Sequence, residues 1–158
     1  MASVLQPLLS AYLLLLLPFF TAQSGAGEIG VGSSIEASRD AKPWVSPSSD
    51  LAFGFQQLEN NKDLFILAIW YYKVQSRTIV WYVNGDKPAP KTSKIVNSRS
   101  EIATGEVAVA RMNDTCNFVV YCSDSERLWE SFEKPTDTLL PNQVMVIGFY
   151  VTFRNGSE

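Results

Sequence analysis

The sequence contains no histidine at all among its 158 residues. That removes the commonest general base, both the Ser-His-Asp and Cys-His nucleophile systems and every histidine-ligated zinc site. Cysteine is almost as scarce, with Cys116 and Cys122 only, too few to hold a metal without other ligands. Charge is low as well: 13 basic against 16 acidic side chains, net −3, with no basic stripe, so nucleic acid is not an expected partner. Glycine-rich phosphate loops are missing, and so are the catalytic motifs of protein kinases. Two Asp-Thr pairs occur, at Asp114 and Asp137, but neither continues into the Asp-Thr-Gly of a paired-carboxylate protease. Glu126, Glu130, Glu133 and Asp137 could supply a glycosidase pair, but on so short a proline-bounded stretch they read better as solvated or turn-capping groups. No enzymatic activity, metal or cofactor is expected.

Long apolar runs are also rare. One, Leu8 to Phe20, holds five consecutive leucines and is followed by small and polar residues from Thr21 to Gly25. It reads as a secretory signal peptide over residues 1–24. The rival reading is a membrane anchor, but Pro18 interrupts a run already shorter than the ~20 apolar residues a span requires. After signal cleavage no membrane span is expected, and the product would be extracellular. Asn113-Asp114-Thr115 and Asn155-Gly156-Ser157 are glycosylation sequons that fit export. Cys116 and Cys122 would lie ~20 Å apart on an extended chain, beyond the ~7 Å a bridge allows. Free or intermolecular thiols are therefore expected.

Strand signals dominate what is present, and no stretch shows sustained helical periodicity. Ile29 to Ile35 is a weak first strand. Leu51 to Leu58 alternates aromatic and small residues, Leu64 to Tyr72 is the most apolar segment, and Thr78 to Val83 follows. Asn60 to Asp63 and Asn84 to Pro88 are turns. The polar zone from Pro88 to Gly105 has room for a short strand at Ile95 and Val96. Glu106 to Met112, Asn117 to Tyr121, Arg127 to Phe132 and Val144 to Phe153 complete the pattern. Many short strands at regular spacing mean an all-β sandwich, barrel or prism.

In order along the chain, LAFGFQQL, LFILAIWYYKV, TIVWYVNGDKPAP, NFVVY and LWESFEKPTDTLLP resemble the bulb-type, mannose-binding lectin domain of plant G-type lectin S-receptor-like serine/threonine kinases. The resemblance implies a β-prism of three sheets over residues 25–143, with residues 144–158 as a divergent tail. It also implies that one sheet is incomplete, because Lys91 to Glu106 is too short for a strand repeat the family carries there. Kinase, membrane span and further ectodomain modules are not within this sequence. The tail could fill the missing sheet, pair with another chain or be a scar of truncation.

The family's sugar pocket, Q-x-D-x-N-x-V-x-Y, maps onto Asn113, Thr115, Asn117, Val119 and Tyr121. Period-2 spacing would place all five on one face of one strand. Asn, Val and Tyr are kept, but the carboxylate has become Thr115, unless Asp114 enters through a bulge. A single sugar binds a shallow site with ~4 kcal/mol, and a charged hydrogen bond supplies ~1.5–3 kcal/mol of it. Weak or lost affinity for mannose-type glycans is the consequence. The same two substitutions create the Asn113 sequon. The competing reading makes NFVVY a core strand, and burial tendencies likewise favour core roles for Trp70, Trp81 and Trp129. Cys116 occupies a family glycine position, where positive φ is expected. Related receptor kinases, or a second copy joined through exposed sheet edges, are the alternative partners.

Overall fold

The computed structural model describes residues 27–99, 101–102 and 105–144. The expected signal peptide, residues 1–24, and the sequon at Asn155 lie outside these residues, as does the tail beyond Val144. The described chain forms twelve short strands and no α-helix: β1 (Glu28–Gly30), β2 (Ser34–Glu36), β3 (Trp44–Val45), β4 (Leu51–Gln57), β5 (Leu64–Tyr71), β6 (Ile79–Tyr82), β7 (Ala89–Pro90), β8 (Lys94–Val96), β9 (Glu101–Ile102), β10 (Gly105–Met112), β11 (Phe118–Cys122) and β12 (Arg127–Glu130). A single 3₁₀ turn, Ser131–Glu133, ends the last strand.

Three antiparallel sheets share one core, which is the β-prism expected. One runs β1-β10-β11-β12, with β9 also on β10. A second is only β2-β8. The third runs β3-β4-β5-β6, with β7 also on β5. Each contributes its inward face to one cluster: Ile29, Ala110, Met112 and Phe118 from the first sheet, Ile95 from the second, and Phe53, Ile69 and Trp81 from the third. Aromatic rings fill the axis. Phe53 and Phe118 stack at 4.0 Å between centroids, with Trp44 parallel to both, and Trp129 meets Trp81 and Phe118 edge-on. Each such pair adds ~0.5–1.5 kcal/mol beyond the area it buries. Trp81 and Trp129 are thus packing residues, as burial tendencies suggested.

Two details differ from expectation. Ile29 to Ile35 is not one strand: Gly32, at φ 92°, breaks it, and its halves join different sheets. Glycine reaches that conformation at no steric cost. Both isoleucines are buried, so the apolar signal was sound and only the continuity was not. Arg127 to Phe132 is shorter than expected, because Ser131 turns inward and its hydroxyl accepts from the Phe118 N–H at 3.0 Å. The two-stranded sheet is the incomplete face of the prism. It is tied to the first sheet by the buried Asn97, whose amide donates to the Ile29 carbonyl at 2.7 Å.

Candidate functional site

The five pocket residues do not lie on one strand. Asn113 to Asn117 is the turn of the β10–β11 hairpin, closed by Asn113 N–H to the Asn117 carbonyl at 3.0 Å and Cys116 N–H to the Asn113 carbonyl at 3.2 Å. Strand pairing resumes only at Met112 and Phe118. Asn113 and Thr115 therefore sit on the turn, and Asn117, Val119 and Tyr121 follow it. The Asn-Asp pair's preference for turns prevailed over the alternation of the segment. Cys116 takes φ 70°, the left-handed conformation its glycine-like position called for. Asp114 does not reach the strand face through a bulge; its Oδ1 accepts from Ser48 N–H at 3.0 Å and from Ser48 Oγ at 2.7 Å.

On β11, Val119 and Tyr121 face away from the core. Val119 stands opposite Arg111 on one neighbouring strand and Glu130 on the other, and only 1% of it is exposed. Arg111 is ion-paired with Glu28 at 2.6 Å and lies 5.1 Å over the Tyr121 ring. Arg127 pairs with Glu130 at 2.8 Å. Asn117, 8% exposed, is spent internally: Nδ2 donates to Glu130 at 2.7 Å, while Oδ1 accepts from Ser131 Oγ at 3.1 Å and Phe132 N–H at 3.3 Å. The open polar groove expected here is occupied by the protein's own side chains. Surface ion pairs contribute only ~0–1 kcal/mol, so Arg111 and Arg127 can give way to a ligand. Withdrawing the Asn117 amide would strand buried partners at ~1–3 kcal/mol each, so it stays.

Beside the turn lies a cavity of ≈ 430 Å³, bordered by Thr115, Asp114, Asp50, Lys73, Tyr71 and Asn142. Ser48 organises it. Beyond its bonds to Asp114, Ser48 Oγ accepts from Asp50 N–H at 3.1 Å, and its carbonyl accepts from Lys73 Nζ at 2.9 Å. Lys73 also pairs with Asp50 at 2.8 Å. Lys73 and Ser48 hold the Asp50 carboxyl below the usual carboxylate range; hydrogen bonds from Ser46 and Ser48 do the same for Asp114. Both are ionised acceptors at neutral pH, next to the 40%-exposed ring of Tyr71. Sequence reasoning passed over Asp50, Lys73 and Tyr71. The Ser-Pro-Ser-Ser-Asp turn before β4 was the available signal.

Both cysteines are free and buried. Burial pushes the Cys116 thiol up, and a hydrogen bond to Asp124, followed by burial, pushes up Cys122. Cys122, Asp124 and Glu126 offer three ligand atoms within 4.8 Å of one another. The thiol is already engaged with Asp124 and with the Glu126 carbonyl.

No family model matches the chain. Among curated proteins it is similar to the G-type lectin S-receptor-like serine/threonine-protein kinase RLK1 of Arabidopsis thaliana, 38% identical over 148 residues that cover 77% of this chain and 18% of that protein. It is also similar to LECRK4, a kinase of the same description from Oryza sativa subsp. indica, at 33% over 168 residues, 93% of this chain and 21% of that protein. LECRK1 of Oryza sativa subsp. japonica is 32% identical over 137 residues, 74% of this chain and 17% of that protein. The chain thus spans about a fifth of the length of these relatives. No helix among the described residues is long and apolar enough to cross a membrane.

Proposed function

The chain belongs with the G-type lectin S-receptor-like serine/threonine kinases, of which it carries the bulb-type lectin domain, and from that kinship we propose a non-catalytic recognition module that binds mannose-type glycans weakly outside the cell. The observation that carries this reading is the ≈ 430 Å³ cavity beside Thr115. Its volume is that of a small-molecule pocket, and its ionised carboxylates and exposed tyrosine ring suit hydroxyls and sugar C–H faces. Thr115, with Asp114 and Tyr71, makes the contacts within the cavity; Asn113 on the turn and Tyr121 on the outer face of β11 take the further residues of a longer saccharide, while the buried Asn117 and Val119 hold that hairpin in shape. A glycan on Asn113 would compete for the same space. Export through a signal over residues 1–24 places the module where glycans are found.

Titration of the full chain with mannotriose, followed by NMR, tests this. Millimolar binding is expected, with shifts at Thr115 and Tyr121. Tyr121→Ala and Thr115→Ala should each weaken it several-fold, because each contact is worth ~1 kcal/mol. Saturating mannotriose that moves neither residue contradicts the reading.

A second reading, pairing with related receptors or with another copy, is favoured by the two-stranded β2-β8 sheet and by Val31 and Val96, both more than 40% exposed. A strand added at such an edge needs no sugar. Co-precipitation with a full-length relative that added mannose does not disturb would support pairing over glycan binding.

A further inference from the structure

The outer face of the β3-β4-β5-β6 sheet carries a different chemistry. Here Ala52, Ala68 and Trp70 point away from the core and form a small apolar cluster of their own, with Gly54 on the same face of β4. The loop between β2 and β3, Ser38 to Pro43, lies over them. A Cβ at Gly54 would stand 3.4 Å from both Pro43 Cβ and Trp70 Cη2, so the indole and the loop meet over this position at contact distance. Trp70 is left 2% exposed, yet its Nε1 has no hydrogen-bond partner among the described residues. A buried donor without an acceptor is rare in folded proteins and calls for an explanation.

Trp70 lines a cavity of ≈ 270 Å³ with Arg39, Lys42, Arg77, Tyr72 and Gln56. Asp40 is the carboxylate on the same rim, so the site holds three cations against one anion in a chain of net −3. Lys73, Lys91, Lys94, Arg99, Arg111 and Arg127 are all paired with acids. Arg39, Lys42 and Arg77 take part in none of these pairs. Three cations without an ion pair among the described residues and the 45%-exposed Tyr72 thus border one cavity, whose floor includes the buried Trp70.

We propose that this cavity is a binding site for a carboxylate-bearing sugar, a hexuronic acid residue of an acidic saccharide. The proposal rests on the reading of the chain as a glycan-recognition module. Guanidinium groups take a carboxylate through two parallel hydrogen bonds, and the exposed Tyr72 on the same rim gives the sugar ring an apolar surface. The volume suits one sugar residue. A nucleic-acid backbone would need a basic track, and this rim is a single point.

The test is an NMR titration of the full chain with D-galacturonate, with D-galactose as the same ring lacking the carboxylate, and with inorganic sulfate. Galacturonate should shift the Trp70 indole N–H signal, and galactose should bind about tenfold more weakly, the loss expected for one charge-assisted contact. Lys42→Gln and Arg77→Gln, both at exposed positions, should weaken galacturonate several-fold without changing Tm, and added salt should weaken it further. Equal binding of galactose overturns the proposal, as does sulfate binding as tightly as galacturonate, which would mark a general anion site. Failure of the mannotriose titration at Thr115 and Tyr121, with galacturonate binding intact, would sink the mannose reading alone; the converse would sink this one alone.

Discussion

The two cavities differ in what their polar groups have left over. Around Thr115, Ser48 engages Asp114, Asp50 and Lys73 together, and Asn117 behind them uses both ends of its amide. Around Trp70, Arg39, Lys42 and Arg77 share one rim with a single carboxylate, Asp40, and enter none of the ion pairs among the described residues; the indole N–H there has no acceptor among those residues. Satisfied groups hold a fold together; unsatisfied ones must be compensated by something else. The first region therefore has its contribution to stability already built in, and a ligand there competes with internal bonds. The second gives a ligand partners that nothing else is using.

Mutations that separate stability from binding sharpen the contrast. Asn117→Ala should have the largest effect. It leaves Glu130, Ser131 Oγ and the Phe132 N–H without their partner and should cost ~2–4 kcal/mol, a fall in Tm of about 10 °C for a domain this size. Thermal denaturation followed by circular dichroism reads it, and a near-native Tm would break the comparison at its firm end.

The two buried tryptophans give a matched pair. Trp81 Nε1 donates to the Lys134 carbonyl at 2.7 Å, whereas Trp70 Nε1 finds no acceptor among the described residues. Trp81→Phe should cost ~2–3 kcal/mol, from lost volume plus a lost hydrogen bond. Trp70→Phe loses similar volume but removes an unpaired buried donor, a gain of ~1–3 kcal/mol, so it should stay within ~1 kcal/mol of the wild type. Urea unfolding of the two variants compares them directly. Equal losses would mean that Trp70 Nε1 is not a liability to the fold.

Acid should act on the first region. The Asp50 and Asp114 carboxyls lie below their ordinary values in the folded protein. Their stabilisation is complete above the unfolded-state value near ~3.9 and disappears as pH falls through the lower folded values. Stability should decline below about pH 4, and Asp114→Asn should flatten that decline. The effect is the smallest of the set, because both groups are solvent-exposed and screened. A pH series of Tm values checks it.

Much of this was legible in the sequence. Alternation located the main strands of the third sheet, the short segment after Lys91 announced the two-stranded face, and the glycine-like position of Cys116 anticipated its positive φ. The failures have one cause. Alternation was followed straight through residues whose local chemistry ends a strand: Gly32 between the two buried isoleucines, and Asn113-Asp114 before NFVVY. The cavities were illegible for another reason. Ser48 lies 66 residues from Asp114, and the loop carrying Arg39 and Lys42 meets Arg77 only once β4 and β5 are paired. Such contacts belong to the assembled sheets and leave no mark on any single segment.

The most direct check on the chain as a glycan-recognition module is one NMR experiment on the full, labelled protein, titrated separately with mannotriose and trigalacturonate. The account predicts two disjoint sets of shifted signals: Thr115 and Tyr121 with the neutral sugar, and the Trp70 indole with the acidic one. If neither sugar moves any of these signals at millimolar concentration, carbohydrate recognition by this domain is contradicted.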